Sequence, residues 1–146
     1  MIMNIEQTLL IIKPNSVLNN VIGEIYSRFE RSGFRIIAAK MLFLNEYQVK
    51  SFYILHKGKY FFDDLISFMS SGPIIVSVLE CKDAVKRNRE LIGHTDPSLA
   101  ITGTIRSDYS DNLTKNAVHG SDSIRSAYRE IKFFFNKNEI FSRFIK

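Results

Sequence analysis

The sequence holds three histidines, His56, His94 and His119, and each side chain type can serve as a nucleophile or an acid–base group. A lone histidine is more often structural or simply exposed. His56 closes a helical segment before a glycine loop, where a cation suits the helix dipole, and His94 starts a loop; neither has a distinguishing neighbourhood. His119 differs, because it lies at a strand-to-helix junction, Asn116-Ala117-Val118-His119-Gly120-Ser121-Asp122-Ser123. Gly120 permits a sharp turn or close approach to a ligand. Ser121 and Asp122 can cap the next helix, whose N-terminus offers unpaired N–H groups to an anion. A histidine there faces whatever anion docks, so the chemistry on offer is covalent catalysis on an anionic substrate. Glu130 falls beside the buried stripe of that helix and has two readings. It holds one imidazole nitrogen and leaves the other free to attack, or it is a solvated helix charge, which spacing alone favours.

The elements that must position these groups are readable from periodicity. Thr8 to Lys13 is a continuous apolar run stopped by Pro14, as expected of a buried central strand. Asn15 or Ser16 caps a helix in which Val17, Val21, Ile22, Ile25 and Phe29 recur at helical spacing, with Gly33 as the stop. Phe34 to Leu44 reads as a second strand. Asn45 caps a helical stretch carrying Val49, Phe52, Tyr53 and His56, and a further helix runs from about Phe61 to Ser70, punctuated by Ser71-Gly72-Pro73. Ile74 to Leu79 is a third strand. Asp83 opens a helix that Gly93 closes near Ile92. Residues 94–115 show no clear period, and a loop that long is functional or disordered. Asn116 to His119 is a short strand, and Asp122 opens a helix with Ile124, Ala127, Tyr128, Ile131 and Phe135 as its apolar positions. This order matches an α+β, ferredoxin-like split βαβ sandwich: a four-stranded antiparallel sheet with helices packed on one face and a helical insertion between the second and third strands.

Composition bounds the setting. At 146 residues, 45% apolar and 24% charged, the chain is one domain's worth of ordinary globular sequence, without repeats or linkers, and is read as a single domain over residues 1–146. No apolar run approaches the roughly 18 to 20 residues of a membrane span. Met1 to Gln7 lacks the features of a leader peptide. Cys81 is the only cysteine, which excludes an internal disulfide and suits a reducing, cytoplasmic location. Twenty basic against fifteen acidic residues give a net charge of +5; the charge favours anionic partners, but the basic residues are scattered and decide nothing alone.

The His119 segment resembles the active-site signature of nucleoside diphosphate kinases, N-x-x-H-G-S-D-[SA], and it has company. Thr8-Leu9-Leu10-Ile11-Ile12-Lys13-Pro14-Asn15 resembles the family's first strand, T-x-x-I-I-K-P-[DN]. His56 to Phe62 resembles H-x-x-[KR]-P-F-F, Ser71-Gly72-Pro73 the S-G-P turn, Gly93 to Pro97 the G-x-T-[DN]-P segment, and Gly103 to Asp108 the G-T-[IL]-R-x-D segment. The pieces fall in family order and spacing from residue 8 to about residue 135. Each alone is ordinary; their joint occurrence is specific.

The resemblance implies an ATP-type phosphotransferase working in two steps, with His119 taking the terminal phosphate of a nucleoside triphosphate and passing it to a diphosphate. Lys13, Arg89 and Arg106 would neutralise and orient the phosphates. Arg89 has weak independent support, since it lies four residues after Val85 and three before Ile92 and so borders the inward face, whereas Lys86, Arg87 and Glu90 look outward. Thr95 would add a hydroxyl to the phosphates. Asn116 and Lys13 would reach the ribose 3′-OH. Phe61 would stack on the base without reading its edges. Tyr53 would lie near the transferred phosphate, with Ser121 and Glu130 supporting the histidine. Magnesium would arrive on the nucleotide, bridging phosphate oxygens, with no dedicated protein metal cage; Asp122 would at most touch a metal-bound water, and Asp63-Asp64 reads as helix surface. The short lysine-rich tail resembles compact bacterial-type members, which implies a homo-oligomer, tetramer or hexamer. Tyr60 and Thr102 stand where the family commonly has proline, the first loosening its loop and the second bearing on the long loop and subunit packing.

Three rivals are weaker. A nucleic-acid-binding module would carry aromatics on its central strands, and TLLIIK and IIVSVL have none. An inactive relative would lack the histidine or its cations. A P-loop kinase needs G-x-x-x-x-G-K-[ST], which does not occur.

Overall fold

The computed structural model describes residues 4–144. The first three residues of the segment read as leader-free, and the last two of the tail, lie outside the described residues. The sheet is built on β1 (Ile5–Ile12), flanked by β3 (Ile74–Lys82) and β4 (Val118–Gly120), with β2 (Arg35–Leu42) outside β3. The order is β2-β3-β1-β4 and every pairing is antiparallel. Thr8 to Ile12 are wholly buried. Leu9 and Ile11 join Val76 and Val78 in one core layer, while Leu10 and Ile12 join Ile75 and Leu79 in another. Alternate residues point to opposite faces, so a strand apolar at both parities demands cover on both sides.

The helices supply it. On the Leu10 face lie α2 (Ile22–Arg31), α5 (Ala84–Ile92) and α6 (Ile105–Tyr109), contributing Ile25, Phe29, Ala84, Ile92 and Ile105. On the Leu9 face lie α3 (Glu46–Phe52), α4 (Phe62–Met69) and α7 (Ile124–Phe134), contributing Val49, Phe52, Leu65, Met69, Ile131 and Phe134. The α+β, ferredoxin-like class therefore holds, but helices confined to one face do not: the insertion α3–α4 and the last helix cover the second.

Several elements also differ from the periodic reading: β3 runs on to Lys82, and β4 covers Val118–Gly120 rather than Asn116 to His119. The helix expected across Val17 to Phe29 is two, α1 (Pro14–Leu18) and α2, because Asn20 turns the chain at φ 60° and Val21 caps α2 from outside. The aperiodic loop contains α6, whose five residues are too few to display a period. Ser123, not Asp122, caps α7, its hydroxyl accepting the Ser126 N–H at 3.0 Å. The inward residues of α7 are Ala127, Glu130, Ile131 and Phe134, whereas Ile124 and Tyr128 are exposed. Elsewhere the signals operate as read: Asn45 and Gln48 form a reciprocal capping box on α3, and Gly33 follows α2 in the left-handed region at φ 89°. The chain after α7 returns across the sheet edge, where Phe141 donates its N–H to the Ile37 carbonyl at the β2 bulge, 2.9 Å. No helix among the described residues is long and apolar enough to cross a membrane.

Candidate active site

β1, β4 and the two helical layers meet at a cavity of about 500 Å³. Lys13, Tyr53, Phe61, Arg89, Thr95, Arg106, Asn116, His119 and Glu130 all line it. Of the candidate site residues, Ser121 alone is absent from the lining; it stands behind the wall, fully buried.

His119 comes from β4, whose pairing Ile11↔His119 ties it to the rigid central strand. Its Nε2–H donates to Glu130 Oε1 at 2.7 Å. The same oxygen accepts the Ser121 hydroxyl at 2.9 Å, and Ser121 in turn accepts the Leu9 N–H at 3.2 Å. Glu130 is thus a buried carboxylate, not the solvated charge its spacing favoured. Phe52 and Tyr53 meet the imidazole edge to face, at centroid distances of 5.4 and 5.9 Å. One carboxylate and two aromatic rings therefore fix the ring plane, and Nδ1 is the nitrogen left over.

Asn116 is the junction of the cationic side. Its Oδ1 accepts from Lys13 Nζ at 2.7 Å, and its Nδ2 donates to the Thr95 carbonyl at 3.1 Å. Its own carbonyl accepts both the Val118 N–H at 2.9 Å and Arg106 Nε at 3.3 Å. The bond to Val118 closes a three-residue turn around Ala117, a non-glycine residue held at φ 74°. Such a conformation costs about 1 kcal/mol or more and persists only where its surroundings enforce it.

Arg106 reaches in from α6 and donates to three carbonyls, those of Asn116, Gly93 and Val118 (3.2 Å for Gly93, 2.9 Å for Val118). It pins three chain segments while its guanidinium borders the cavity. Burial and the neighbouring Arg89 guanidinium lower its pKa to about 10. Burial, then the charge of Arg106, lower that of Lys13 to about 7. Tyr53 is buried with its hydroxyl unpartnered, and burial raises its pKa. Arg89 is exposed at the rim.

Gly120 lines the cavity and also packs closely against a neighbouring helix. A Cβ there would stand 2.5 Å from Asn88 Oδ1 and 3.0 Å from Ile92 Cδ1, both on α5. Asn88 is fully buried, so its amide has little room to move aside. Gly120→Ala is therefore expected to lower stability by about 1–3 kcal/mol through overpacking, and to push β4 and with it His119 out of place. Asn88→Ala in the same chain should restore much of both, read as a non-additive double-mutant cycle by denaturant melts and rate assays.

Sequence reasoning set aside or missed several wall residues. His56 lines the cavity, stacked on Tyr53 and bonded through Nδ1 to Lys59 Nζ at 3.0 Å; burial first, then Lys59, lower its pKa. Its spacing of three from Tyr53 was the available signal. Leu113 and Thr114 come from the aperiodic loop and left none. Tyr60 is exposed and packs edge-on to Phe61 at 5.4 Å. Arg87, read as outward, lies half-buried over the Phe34 ring. His94 is exposed and accepts the Asp96 N–H through Nδ1 at 2.9 Å.

A fixed imidazole facing a group of buried and rim cations, with an aromatic wall, is an arrangement suited to phosphoryl transfer through histidine. The chain belongs to the nucleoside diphosphate kinase family, whose model matches residues 6–140. Among solved structures it is similar to the nucleoside diphosphate kinase of Aquifex aeolicus (42% identity, TM-score 0.91), with 93% of this chain and 99% of that chain covered. It is likewise similar to a halophilic nucleoside diphosphate kinase from Halobacterium salinarum in complex with CDP (37% identity, TM-score 0.92), with 96% and 93% covered. Its activity is reversible transfer of the terminal phosphate from a nucleoside triphosphate to a nucleoside diphosphate, by a ping-pong route through a phosphohistidine.

Proposed function

We propose that His119 is the residue phosphorylated, at Nδ1, and that the cavity around it is the nucleotide site. The bond from Nε2–H to Glu130 carries this reading: it commits one nitrogen and presents the other, with its lone pair, to the cavity. The lone pair forms a bond to the terminal phosphorus of the triphosphate as the bond to the bridging oxygen breaks and the diphosphate leaves. The second half-reaction reverses these events with a new diphosphate as acceptor. Lys13, Arg89 and Arg106 orient the phosphates and offset their charge, with the Thr95 hydroxyl beside them. Asn116 and Lys13, already bonded to each other, meet the ribose. Phe61 supplies an aromatic face to the base, and Tyr53 an unpartnered hydroxyl near the phosphate. Ser121 and Glu130 hold the imidazole.

Magnesium would accompany the nucleotide and would supply charge neutralisation at its phosphates. Asp122 is the exposed carboxylate on the cavity wall and would be the group nearest the metal's waters. Among the described residues no group of three or more His, Cys, Asp or Glu could hold a metal unaided. We also read residues 1–146 as one kinase domain, a homo-oligomer (tetramer or hexamer) and cytoplasmic. Exposed Phe43, Leu99 and Ile101 support association, and the family match supports the single domain.

Labelled triphosphate alone should leave a stoichiometric, acid-labile and base-stable phosphate on the protein, discharged by any nucleoside diphosphate. An acid-stable phosphate would assign the chemistry to a hydroxyl instead.

Lys13 adds a pH signature. Its folded pKa near 7 lies below its value in the unfolded chain, so between about pH 7 and the usual lysine range the unfolded state holds more protons, and through this group stability rises with pH. A bound polyphosphate favours the charged form, so binding near pH 7 to 8 should take up a proton. Calorimetry in buffers of differing ionisation enthalpy measures that uptake, and Lys13→Met should abolish it.

A further inference from the structure

We propose that Arg129 is a second rim cation of the site beside Arg89, meeting the incoming polyphosphate at the cavity mouth before the buried Lys13 and Arg106 engage it. Adjacent residues on a helix diverge by about 100°, so Arg129 would be expected to project away from buried Glu130. Instead its Nη2 returns to 3.8 Å from Glu130 Oε2, and the side chain forms part of the wall that holds His119. That separation is too long for a hydrogen bond, so its donors stay available to a ligand. The side chain is 53% exposed, whereas Lys13 and Arg106 are only 5% and 7% exposed and engage a ligand only once it has shed water.

Cations at the mouth of a cleft raise the encounter rate of anions, and a rim charge acts on association and its salt dependence. Arg125, one turn earlier on α7, is also exposed but does not line the cavity. It provides a charge-matched control.

The inference rests on the cavity being the nucleotide site, and rapid-quench measurement of phosphoenzyme formation from γ-labelled ATP separates the two. The slope of rate against ATP concentration reports capture, and the plateau reports transfer. In Arg129→Gln the slope should fall roughly threefold to tenfold at low ionic strength, with the plateau within about twofold. The deficit should shrink at about 1 M salt, where screening is nearly complete. Arg125→Gln should leave the slope within about twofold, and Arg129→Lys should recover most of it. An unchanged slope in Arg129→Gln, an equal loss in Arg125→Gln, or a plateau lowered as far as the slope overturns the assignment; the last would mean action through Glu130. If the unsubstituted protein forms no phosphoenzyme, the site reading itself fails, a different result from any of these.

Discussion

His119→Ala is expected to lower turnover by at least about 10⁴-fold while nucleotide still binds within a few-fold of the unsubstituted protein. The two halves of that expectation have separate causes. Turnover depends on a nucleophile that no neighbour replaces: Glu130 lies behind the ring, Ser121 has its hydroxyl committed to Glu130, and Tyr53 has its pKa raised by burial. In the proposed site, binding falls to Lys13, Arg89, Arg106, Asn116 and Phe61, and the hydrogen bonds that position Lys13 and Arg106 do not involve the imidazole. The fold should tolerate the change, because Glu130 keeps the Ser121 hydroxyl as a partner. Equilibrium binding of a nucleoside diphosphate and a coupled rate assay on the same preparation check both halves. A variant that keeps a substantial fraction of the rate would remove His119 from the mechanism.

Arg106→Ala should be the most damaging substitution among the cations, because this side chain has two tasks. Removing its charge from the phosphate cradle should cost roughly 10²–10³ in rate, the usual consequence of losing one preorganised donor. Removing its N–H groups strips the carbonyls of Asn116, Gly93 and Val118 of a common partner. Buried unsatisfied groups cost about 1–3 kcal/mol each, and with water taking up part of the loss a net destabilisation of about 3 kcal/mol follows, a fall in Tm of roughly 10 °C. The strained turn at Ala117 should relax, since the carbonyl of Asn116 that closes it is one of the three. Arg106→Lys separates the tasks. It restores a charge, and with it part of the rate, but cannot reach three diverging carbonyls, so the stability loss should persist. Full stability in the alanine variant would show that the guanidinium does not hold these segments together.

The sequence made the sheet legible for a physical reason, and its limits were physical too. TLLIIK announces a strand buried on both faces, and that observation alone calls for helices on both sides; the ferredoxin-like analogy argued for one. The break at Asn20 hides inside a periodic run because Val17, Val21 and Ile25 keep helical spacing across a turn that only the backbone reveals. Single-turn elements such as α6 are too short to declare a period, so Arg106 could be placed only by its motif. Tyr128 and Ile124 sit at apolar positions yet are exposed, because apolar type alone does not decide burial, while polar Glu130 occupies the buried stripe. Nothing in the sequence tied Arg129 to the cavity, since its approach to Glu130 depends on how one long side chain folds.

The central claim is that Nε2 is occupied by Glu130, so that Nδ1 receives the phosphate. Phosphorus NMR of the phosphoenzyme, with the imidazole nitrogens isotopically labelled, tests this most directly. Coupling of the phosphorus to Nδ1 of His119, with Nε2 still protonated, is the result expected. Phosphorus on Nε2, or on any residue other than His119, would contradict it.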